Sequence, residues 1–340
     1  MHIIAYAANR IINDVTSSQF KYKVSISIIK RRGFAMKFNK IVILEKTGIE
    51  EFAMEQLQAM TTELVIYSDS PKSNEEILER SKGADCILIS WTSSIDESVL
   101  SDLPELKYIG MCCSLYNDES ANVDLAAAKG NSVTVTGVRD YGDQGVVQYL
   151  FSELIQLLLG THSKPIFDEP IELESLKLGI IGLGSVGKKV AQVASFFNMD
   201  VYYYGRRIQD DVPYTYLPLE TLLQECDIIS LHLPKNTIVL NQNEFDIMRG
   251  KKILINTGLG FSFNREAFEH WIQNNEHYAI LDTDSIDNEF RENHLLDENI
   301  IMNNIVSGFT KNARRRLSEK VIHNLKEYLQ GESSDVRSKE

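Results

Sequence analysis

Three glycines at the spacing G-x-G-x-x-G lie between an apolar run and a segment of helix formers, at Gly182, Gly184 and Gly187. Such a loop permits a tight turn, a close approach of the backbone to a pyrophosphate and close packing of the helix on the strand, while the helix N-terminus stabilises the anion. A second strand pattern at 201–204 completes the βαβ context that the motif requires. The residues predicted to bind a dinucleotide here are Gly182, Gly184, Ser185, Val186 and Gly187.

Two arginines follow the second strand of this unit, at the position where an acidic residue normally binds the ribose hydroxyls of adenosine. Arg206 and Arg207 carry guanidinium groups that suit a 2′-phosphate through charge-assisted, often bidentate contacts. A solvated pair of arginines at a strand end is the alternative interpretation. The pattern favours NADP(H) over NAD(H) as the cofactor.

The elements that position this loop belong to a repeating pattern. From residue 40 onward, short β-rich runs such as KIVILEK and ELVIYSD alternate with segments of helix formers such as EEFAMEQLQAM. A βα repeat requires a parallel sheet covered by helices on both faces. The alternation pauses at a long helix with an apolar stripe, 143–160, and restarts at residue 176. We therefore predict an α/β protein with two Rossmann-like, doubly wound parallel sheets.

The predicted domain boundaries follow from this pause. The first domain is expected to comprise residues 36–142 together with the C-terminal helical segment 312–331. The dinucleotide-binding domain is expected to comprise residues 143–311, with 143–160 as the connecting helix. The short C-terminal tail, 332–340, is expected to be frayed.

The first 35 residues differ from the rest of the chain in charge. They carry six basic residues and one acidic residue, whereas the whole chain has a formal net charge of -13. They are either a targeting segment or upstream sequence that precedes a natural start at Met36. Their apolar residues are scattered, and no small-residue cleavage site follows a continuous apolar core, so we favour the second interpretation. In both cases a poorly ordered, basic leader is expected at 1–35.

The composition of the 340 residues argues against several classes of function. A formal net charge of -13 without a basic stripe predicts no nucleic-acid partner. The sequence contains no stretch of about 18 apolar residues, so we expect no membrane span. Cysteine spacing shows neither a CxxC pair nor a His-rich ligand pattern, which predicts no metal and reduced thiols in a cytoplasmic protein. The cysteines are Cys86, Cys112, Cys113 and Cys226.

Four segments follow the glycine loop in a fixed order: CDIISLHLPKNT (226–237), KKILINTGLG (251–260), YAILDTDSIDNEF (278–290) and NIVSGFTKNA (304–313). In this order they resemble the D-isomer-specific 2-hydroxyacid dehydrogenases. The resemblance implies a flavodoxin-like substrate domain, a homodimer formed through the cofactor domain, and hydride transfer between a nicotinamide and a small 2-oxo or 2-hydroxy acid. The Gly205-Arg206 pair is similar to that of NADPH-using glyoxylate and hydroxypyruvate reductases of this family.

The same resemblance assigns further residues to the cofactor side. They lie after strands of the second sheet, and they are His232, Leu233, Pro234, Thr257, Gly258 and Asp282. For His232, an ordinary histidine at a strand end is the alternative interpretation.

The catalytic positions of the family are altered in this chain. Leu259 stands where the resemblance places the arginine that holds the substrate carboxylate, and Ile305 stands where it places the histidine that exchanges the hydroxyl proton. Asp287 occupies the position of the glutamate that tunes the histidine, and Asp282 is retained. Arg139, near the predicted hinge, is a candidate replacement for the missing guanidinium, with a surface ion pair as the alternative. The predicted catalytic residues are Asp287, Asp282 and Arg139.

Two hypotheses about function remain open. In the first, the protein reduces a small carbonyl substrate with altered catalytic groups. In the second, it is a catalytically silent NADP(H)-binding protein that acts as a sensor or regulatory partner through domain closure. A positioned general acid contributes about 10²- to 10⁴-fold, so Ile305 and Leu259 favour the second hypothesis. The retained Asp282, together with Asp287, favours the first.

Overall fold

The computed structural model of the chain describes residues 22–23, 36–116, 118–161, 166, 169–235 and 237–331. Within these residues the backbone forms two parallel sheets, one of which carries an additional short antiparallel strand. Each sheet is buried between two apolar clusters, one on each face. The predicted α/β class with two doubly wound sheets is confirmed. Apart from residues 22–23, the predicted leader and tail lie outside the described part of the chain.

The first sheet has the strand order β1-β3-β2-β4-β5-β6, with β1 antiparallel to β3. Its strands are β1 (Tyr22–Lys23), β2 (Phe38–Ile43), β3 (Thr61–Ile66), β4 (Cys86–Ile89), β5 (Tyr108–Ser114) and β6 (Thr134–Val138). Its helices are α1 (Glu51–Met60), α2 (Asn74–Ser81), α3 (Glu97–Ser101) and α4 (Leu125–Gly130). The order of β2 to β6 is that of a flavodoxin-like domain.

The second sheet has the strand order β13-β12-β11-β10-β7-β8-β9. Its strands are β7 (Lys177–Ile181), β8 (Asp200–Tyr204), β9 (Thr215–Tyr216), β10 (Ile228–Leu231), β11 (Lys252–Asn256), β12 (His277–Leu281) and β13 (Ile300–Met302). Its helices are α5 (Asp143–Leu159), α6 (Ser185–Phe196), α7 (Leu219–Glu225), α8 (Gln242–Ile247), α9 (Arg265–Trp271) and α10 (Asn288–Asn293). Because the order reverses between β7 and β10, a crevice opens at the carboxyl ends of these two strands.

The last helix, α11 (Lys311–Leu329), returns to the first sheet. Its Leu317, Val321 and Leu325 are buried in the same apolar cluster as Ile41 of β2. The first domain is therefore completed by a helix that follows the whole second domain in the chain.

The chain passes between the domains twice, before α5 and before α11, and the two passages touch. A Cβ atom on Gly142 would lie 2.6 Å from the carbonyl oxygen of Gly308, and one on Gly145 would lie 2.3 Å from that of Ser307. Phe309 of the second passage packs edge-on against Trp91 of the first domain, with ring centroids 5.7 Å apart. The two passages thus form one compact hinge beside the carboxyl ends of both sheets.

Several classes of site can be assessed across the described residues. In these residues no group of three or more His, Cys, Asp or Glu side chains is arranged to hold a metal ion. None of their helices combines the length and the apolar character needed to cross a bilayer. All four cysteines are buried and free, and burial raises the pKa of Cys113 to about 12. Buried thiols of this kind are unreactive.

Candidate cofactor cradle and active site

The three glycines of the fingerprint have three distinct tasks. Gly182 has φ +97°, and a Cβ atom there would lie 2.3 Å from the carbonyl oxygen of His232. A Cβ atom on Gly187 would lie 2.3 Å from the carbonyl oxygen of Gly182, so this glycine lets α6 pack on β7. A Cβ atom on Gly184 would meet no atom within 4 Å. No side chain caps α6, the helix that begins after Gly184. A pyrophosphate can therefore approach the free N–H groups of α6 at Gly184.

Ser185, in the first turn of α6, is hydrogen-bonded to the first residue of α5, the helix that follows the first passage between the domains. Its hydroxyl donates to Asp143 Oδ2 at 2.6 Å, and Lys189 Nζ donates to the same oxygen at 2.7 Å. Asp143 is almost fully buried at the start of α5. The ion pair with Lys189 balances this carboxylate, which would otherwise repel a phosphate at the same helix end.

Arg206 and Arg207 are exposed immediately after β8, on one side of the fingerprint loop. In the described part of the chain neither guanidinium takes part in an ion pair. Gln209, two residues further on, donates from Nε2 to the carbonyl oxygen of Leu183 at 3.0 Å. The segment that carries both arginines is therefore tied to the fingerprint loop.

His232 lies on the other side of the loop, after β10. Its Nε2 is 2.9 Å from Ser230 Oγ, and burial lowers its pKa to about 4. The imidazole is therefore neutral at neutral pH. Leu233 and Pro234 are half-buried beside it, and a Cβ atom on Gly182 would lie 3.2 Å from Leu233 Cδ2. The three residues form the wall of the cradle opposite the arginines.

The loop after β11 forms the floor. Asn256 shapes it, because its Nδ2 donates to the carbonyl oxygen of Gly260 at 3.1 Å and its Oδ1 accepts from the amide of Gly258 at 3.3 Å. Thr257 is buried, and its hydroxyl has no hydrogen-bond partner among the described residues. A buried, unpartnered hydroxyl at this position fits a polar group of a bound nucleotide. Leu259 lies half-buried at the tip of the loop.

Residues 160–306 match the family described as D-isomer specific 2-hydroxyacid dehydrogenase, NAD binding domain. This segment is therefore similar to the NAD-binding domain of that family. The glyoxylate reductase of Aeropyrum pernix is 25% identical over 295 residues, which are 77% of this chain and 84% of that protein. The hydroxypyruvate reductase of Blautia hydrogenotrophica is 25% identical over 326 residues, which are 88% of this chain and 100% of that protein.

Solved structures extend the likeness to both domains. The acyclic imino acid reductase Bsp5, solved in complex with NADPH and D-Arg, has a TM-score of 0.75 at 22% identity and covers 87% of this chain and 99% of its own. These values show a shared two-domain fold, in which the NAD-binding domain follows a smaller flavodoxin-like domain.

Asp282 of the NAD-binding domain is buried and links two segments of the chain by hydrogen bonds. Its Oδ1 accepts from the amides of Asp284 and Ser285, and its Oδ2 accepts from the amide and the hydroxyl of Ser307, the latter at 2.5 Å. Burial raises its pKa to about 6, although the four hydrogen bonds favour the carboxylate. The side chain thus joins the end of β12 to the second interdomain passage.

Asp287 is the N-cap of α10. Its Oδ1 accepts from the amide of Phe290 at 2.7 Å, and its Oδ2 lies 3.4 Å from Arg265. The side chain is 52% exposed. Ile305, in the position expected for a histidine, is 50% exposed.

Arg139 is held within the first domain. Its Nε donates to the carbonyl oxygen of Leu115 at 2.7 Å, and its Nη2 donates to that of Tyr116 at 3.1 Å. The guanidinium also lies over the Tyr116 ring, 5.4 Å from its centroid. Backbone carbonyls thus accept from two of its three nitrogens, and no ion pair with another described residue is formed. The contact of Arg139 with a substrate stays a prediction.

Sequence reasoning missed several polar residues at the strand ends. Glu45, just after β2, is fully buried and accepts from the amides of Ser90 and Ser93 at 2.8 and 3.2 Å. It shapes the loop after β4 that carries Trp91. Asp284, two residues after Asp282, was also missed. In each case the signal was an acid within a few residues of the end of an apolar strand, which a one-dimensional pattern cannot distinguish from a surface residue.

Proposed function

We propose that the protein is an NADP(H)-dependent oxidoreductase that interconverts a small 2-oxo acid, or a related carbonyl compound, and the corresponding hydroxy compound. The observation that carries the proposal is the cradle, which combines an open backbone at Gly184, the uncapped N-terminus of α6 and the unpartnered hydroxyl of Thr257 in the loop after β11. The glyoxylate and hydroxypyruvate reductases among the relatives support a 2-oxo acid as the substrate.

A bound reduced nicotinamide would supply the hydride. The chain's own residues would bind and orient it: the free amides of α6 would hold the pyrophosphate, and Thr257 would offer a hydroxyl on the floor. The neutral His232 and the half-buried Leu259 keep that part of the cradle poor in water and charge. Such surroundings strengthen the electrostatic interactions of the reacting groups.

The preference for NADP(H) rests on Arg206 and Arg207. Their guanidiniums are exposed and unpaired with other described residues, and no carboxylate replaces them at the end of β8. A dianionic 2′-phosphate is the natural partner for such a pair. The imino acid reductase with the same fold was solved with NADPH.

The experiment that tests this function follows NADPH absorbance and fluorescence with purified protein. A mixed panel of 2-oxo acids, aldehydes and ketones is added, and glyoxylate and hydroxypyruvate are then tested singly. We expect NADPH to bind and to be oxidised by at least one member. Binding without oxidation across the panel would contradict the enzyme proposal.

A silent NADP(H)-binding protein is the second candidate, and one observation favours it. Neither Leu259 nor Ile305 provides a titratable group, and Arg139 is occupied by backbone carbonyls. In this case the domains would close on NADP(H) and present the closed surface to a partner. The same panel distinguishes the candidates, because a sensor binds NADPH without consuming it.

We further propose that two copies of the chain associate through their NAD-binding domains, as the resemblance to the family implies. An apolar groove lies between the ends of α5 and α6, with a cavity of about 350 Å³. Phe196 and Leu159 at its rim are 80% and 43% exposed. Large exposed apolar side chains of this kind mark protein interfaces.

A further inference from the structure

The two altered catalytic positions are joined by one short turn, Thr283–Ser285. The carbonyl oxygen of Asp284 accepts from the amide of Gly260, next to Leu259, at 2.7 Å. The amide of Thr283 donates to the carbonyl oxygen of Ile305 at 3.1 Å. The backbone of the turn that carries Asp284 is therefore bonded to the segments of both positions that have become aliphatic.

One oxygen of the Asp284 carboxyl group has no hydrogen-bond partner among the described residues. This oxygen, Oδ2, is buried. Buried polar atoms are nearly always hydrogen-bonded, so an exception calls for a ligand or a functional role. Burial raises the pKa of this carboxyl, and the nearby Arg291 lowers it by a smaller amount. The group therefore keeps its proton to a higher pH than an ordinary aspartic acid.

Arg291 holds the neighbouring loops in place. Its Nη1 donates to Asn304 Oδ1 at 2.7 Å and its Nη2 donates to the carbonyl oxygen of Thr283 at 3.2 Å. Its Nε is buried without a partner among the described residues. The guanidinium thus links the turn that carries Asp284 to the segment that carries Ile305, and acts as a positioning residue.

Asp284 also interacts electrostatically with a residue of the hinge. Its charge contributes to the raised pKa of Tyr141, whose phenol is mainly affected by burial and lies close to Cys113 and Tyr116 of the first domain. Asp282 is its other charged neighbour. The Asp284 carboxyl is therefore within electrostatic range of Arg291, of Asp282 and of Tyr141, which lies in the first passage between the domains.

We propose that Asp284 exchanges the substrate proton in place of the histidine expected at position 305. This inference rests on the proposed function. In reduction, a reduced nicotinamide would give up a hydride by breaking one of its C–H bonds and would itself be oxidised. As the hydride adds to the carbonyl carbon, the π-electron pair of the C=O bond moves to oxygen, and that oxygen takes the proton from the Asp284 carboxyl. The carboxylate that remains regains a proton from water. Oxidation of the hydroxy compound runs through the same bonds in reverse.

The test compares Asp284→Asn with Glu289→Gln, a control on the adjacent helix whose side chain is 75% exposed. We expect Asp284→Asn to lower kcat by about 10²- to 10⁴-fold without weakening NADPH binding, measured by fluorescence, and the control to change neither. The wild-type reduction rate should fall as pH rises through the pKa of Asp284. That fall should be absent in Asp284→Asn and partly restored in Asp284→Glu.

A second readout needs neither substrate nor turnover. The protonated-carboxyl band in the infrared spectrum of the cofactor-free protein is titrated, and the spectrum of Asp284→Asn is subtracted. A group that titrates above an ordinary aspartic acid supports the inference, and one that titrates at the ordinary value overturns it. A wild-type rate and pH profile in Asp284→Asn overturn the inference alone. Absence of turnover in the wild type overturns the proposed function and, with it, this inference.

Discussion

Arg206 and His232 stand on opposite sides of the cradle and differ in charge. Arg206 is an exposed cation without an ion-pair partner among the described residues, whereas His232 is kept neutral by burial. Arg206 therefore places a positive charge on the side proposed to bind the adenosine phosphate, whereas His232 places none on the opposite side. Each of the two residues yields a prediction that does not depend on knowing the substrate.

Replacement of Arg206 by Ala should weaken NADPH binding far more than NADH binding. A charge-assisted contact contributes about 1.5–3 kcal/mol, so NADPH affinity should fall by about 10- to 100-fold, with little change for NADH. Fluorescence titration measures both constants. Arg315→Ala, on the distant and exposed face of α11, is the control. Equal losses for the two nucleotides would contradict a role in 2′-phosphate recognition.

His232 should make the stability of the fold depend on pH. Its folded pKa of about 4 lies below the ordinary value of 6.5, so the unfolded chain binds more protons between these values. Stability should therefore fall as pH drops from about 6.5 toward 4. Between pH 7 and pH 4.5, His232→Gln should lose about 2 kcal/mol less unfolding free energy in urea than the wild type. His323→Gln, whose side chain is 67% exposed, should behave like the wild type.

At the scale of single residues, the sequence predicts local roles better than distant contacts. The glycines at 182, 184 and 187 are predictable because their spacing alone defines a turn. The contacts of Arg139 are not, since Leu115 and Tyr116 reach it only after β5 and β6 have paired. The hydrogen bond between Asp282 and Ser307 could not be predicted either, because it joins residues 25 positions apart.

In the second domain, the fingerprint loop between β7 and α6 needs its glycines for two different reasons. At Gly187 the added Cβ would meet backbone of the same loop, whereas at Gly184 it would meet open space. A side chain at Gly187 would therefore disturb the fold, whereas a side chain at Gly184 would disturb only the binding of a ligand. Substitutions at the two sites should separate stability from binding.

Gly184→Ala should leave the melting temperature of the cofactor-free protein nearly unchanged and strongly weaken NADPH binding. Gly187→Ala should lower both, because overpacking against backbone costs about 1–3 kcal/mol. Differential scanning calorimetry and fluorescence titration measure the two quantities. Gly250→Ala is a poor control because φ there is +73°, so Gly130→Ala, with no atom within 4 Å of the added Cβ, is used instead. Undiminished NADPH binding by Gly184→Ala would exclude the cradle as the pyrophosphate site.

The regular elements could largely be predicted, because strands buried on both faces give continuous apolar runs. β4 and β10 are examples, with every residue buried. The two-residue strand β9 could not be predicted, since it exists only through pairing with β8. The turn Thr283–Ser285 was missed for the same reason: its geometry depends on bonds to Gly260 and Ile305.

For the whole molecule, the proposed dimer gives a direct prediction. Phe196→Asp should convert a dimer to a monomer, because a charge would be buried without a partner in the apolar groove. Sedimentation velocity measures the mass. Leu296→Asp, at a residue 90% exposed outside this groove, should leave the dimer intact. A wild type that sediments as a monomer at all concentrations would contradict the proposal.

The return of α11 to the first sheet has a consequence for the order of folding during synthesis. The first domain cannot bury Ile41 and its neighbours until Leu317, Val321 and Leu325 have left the ribosome. The NAD-binding domain, although it is made later than most of the first domain, has all its strands by residue 302. The domain that begins second is therefore the first that can fold, and it offers the nucleotide a site while its neighbour is still incomplete.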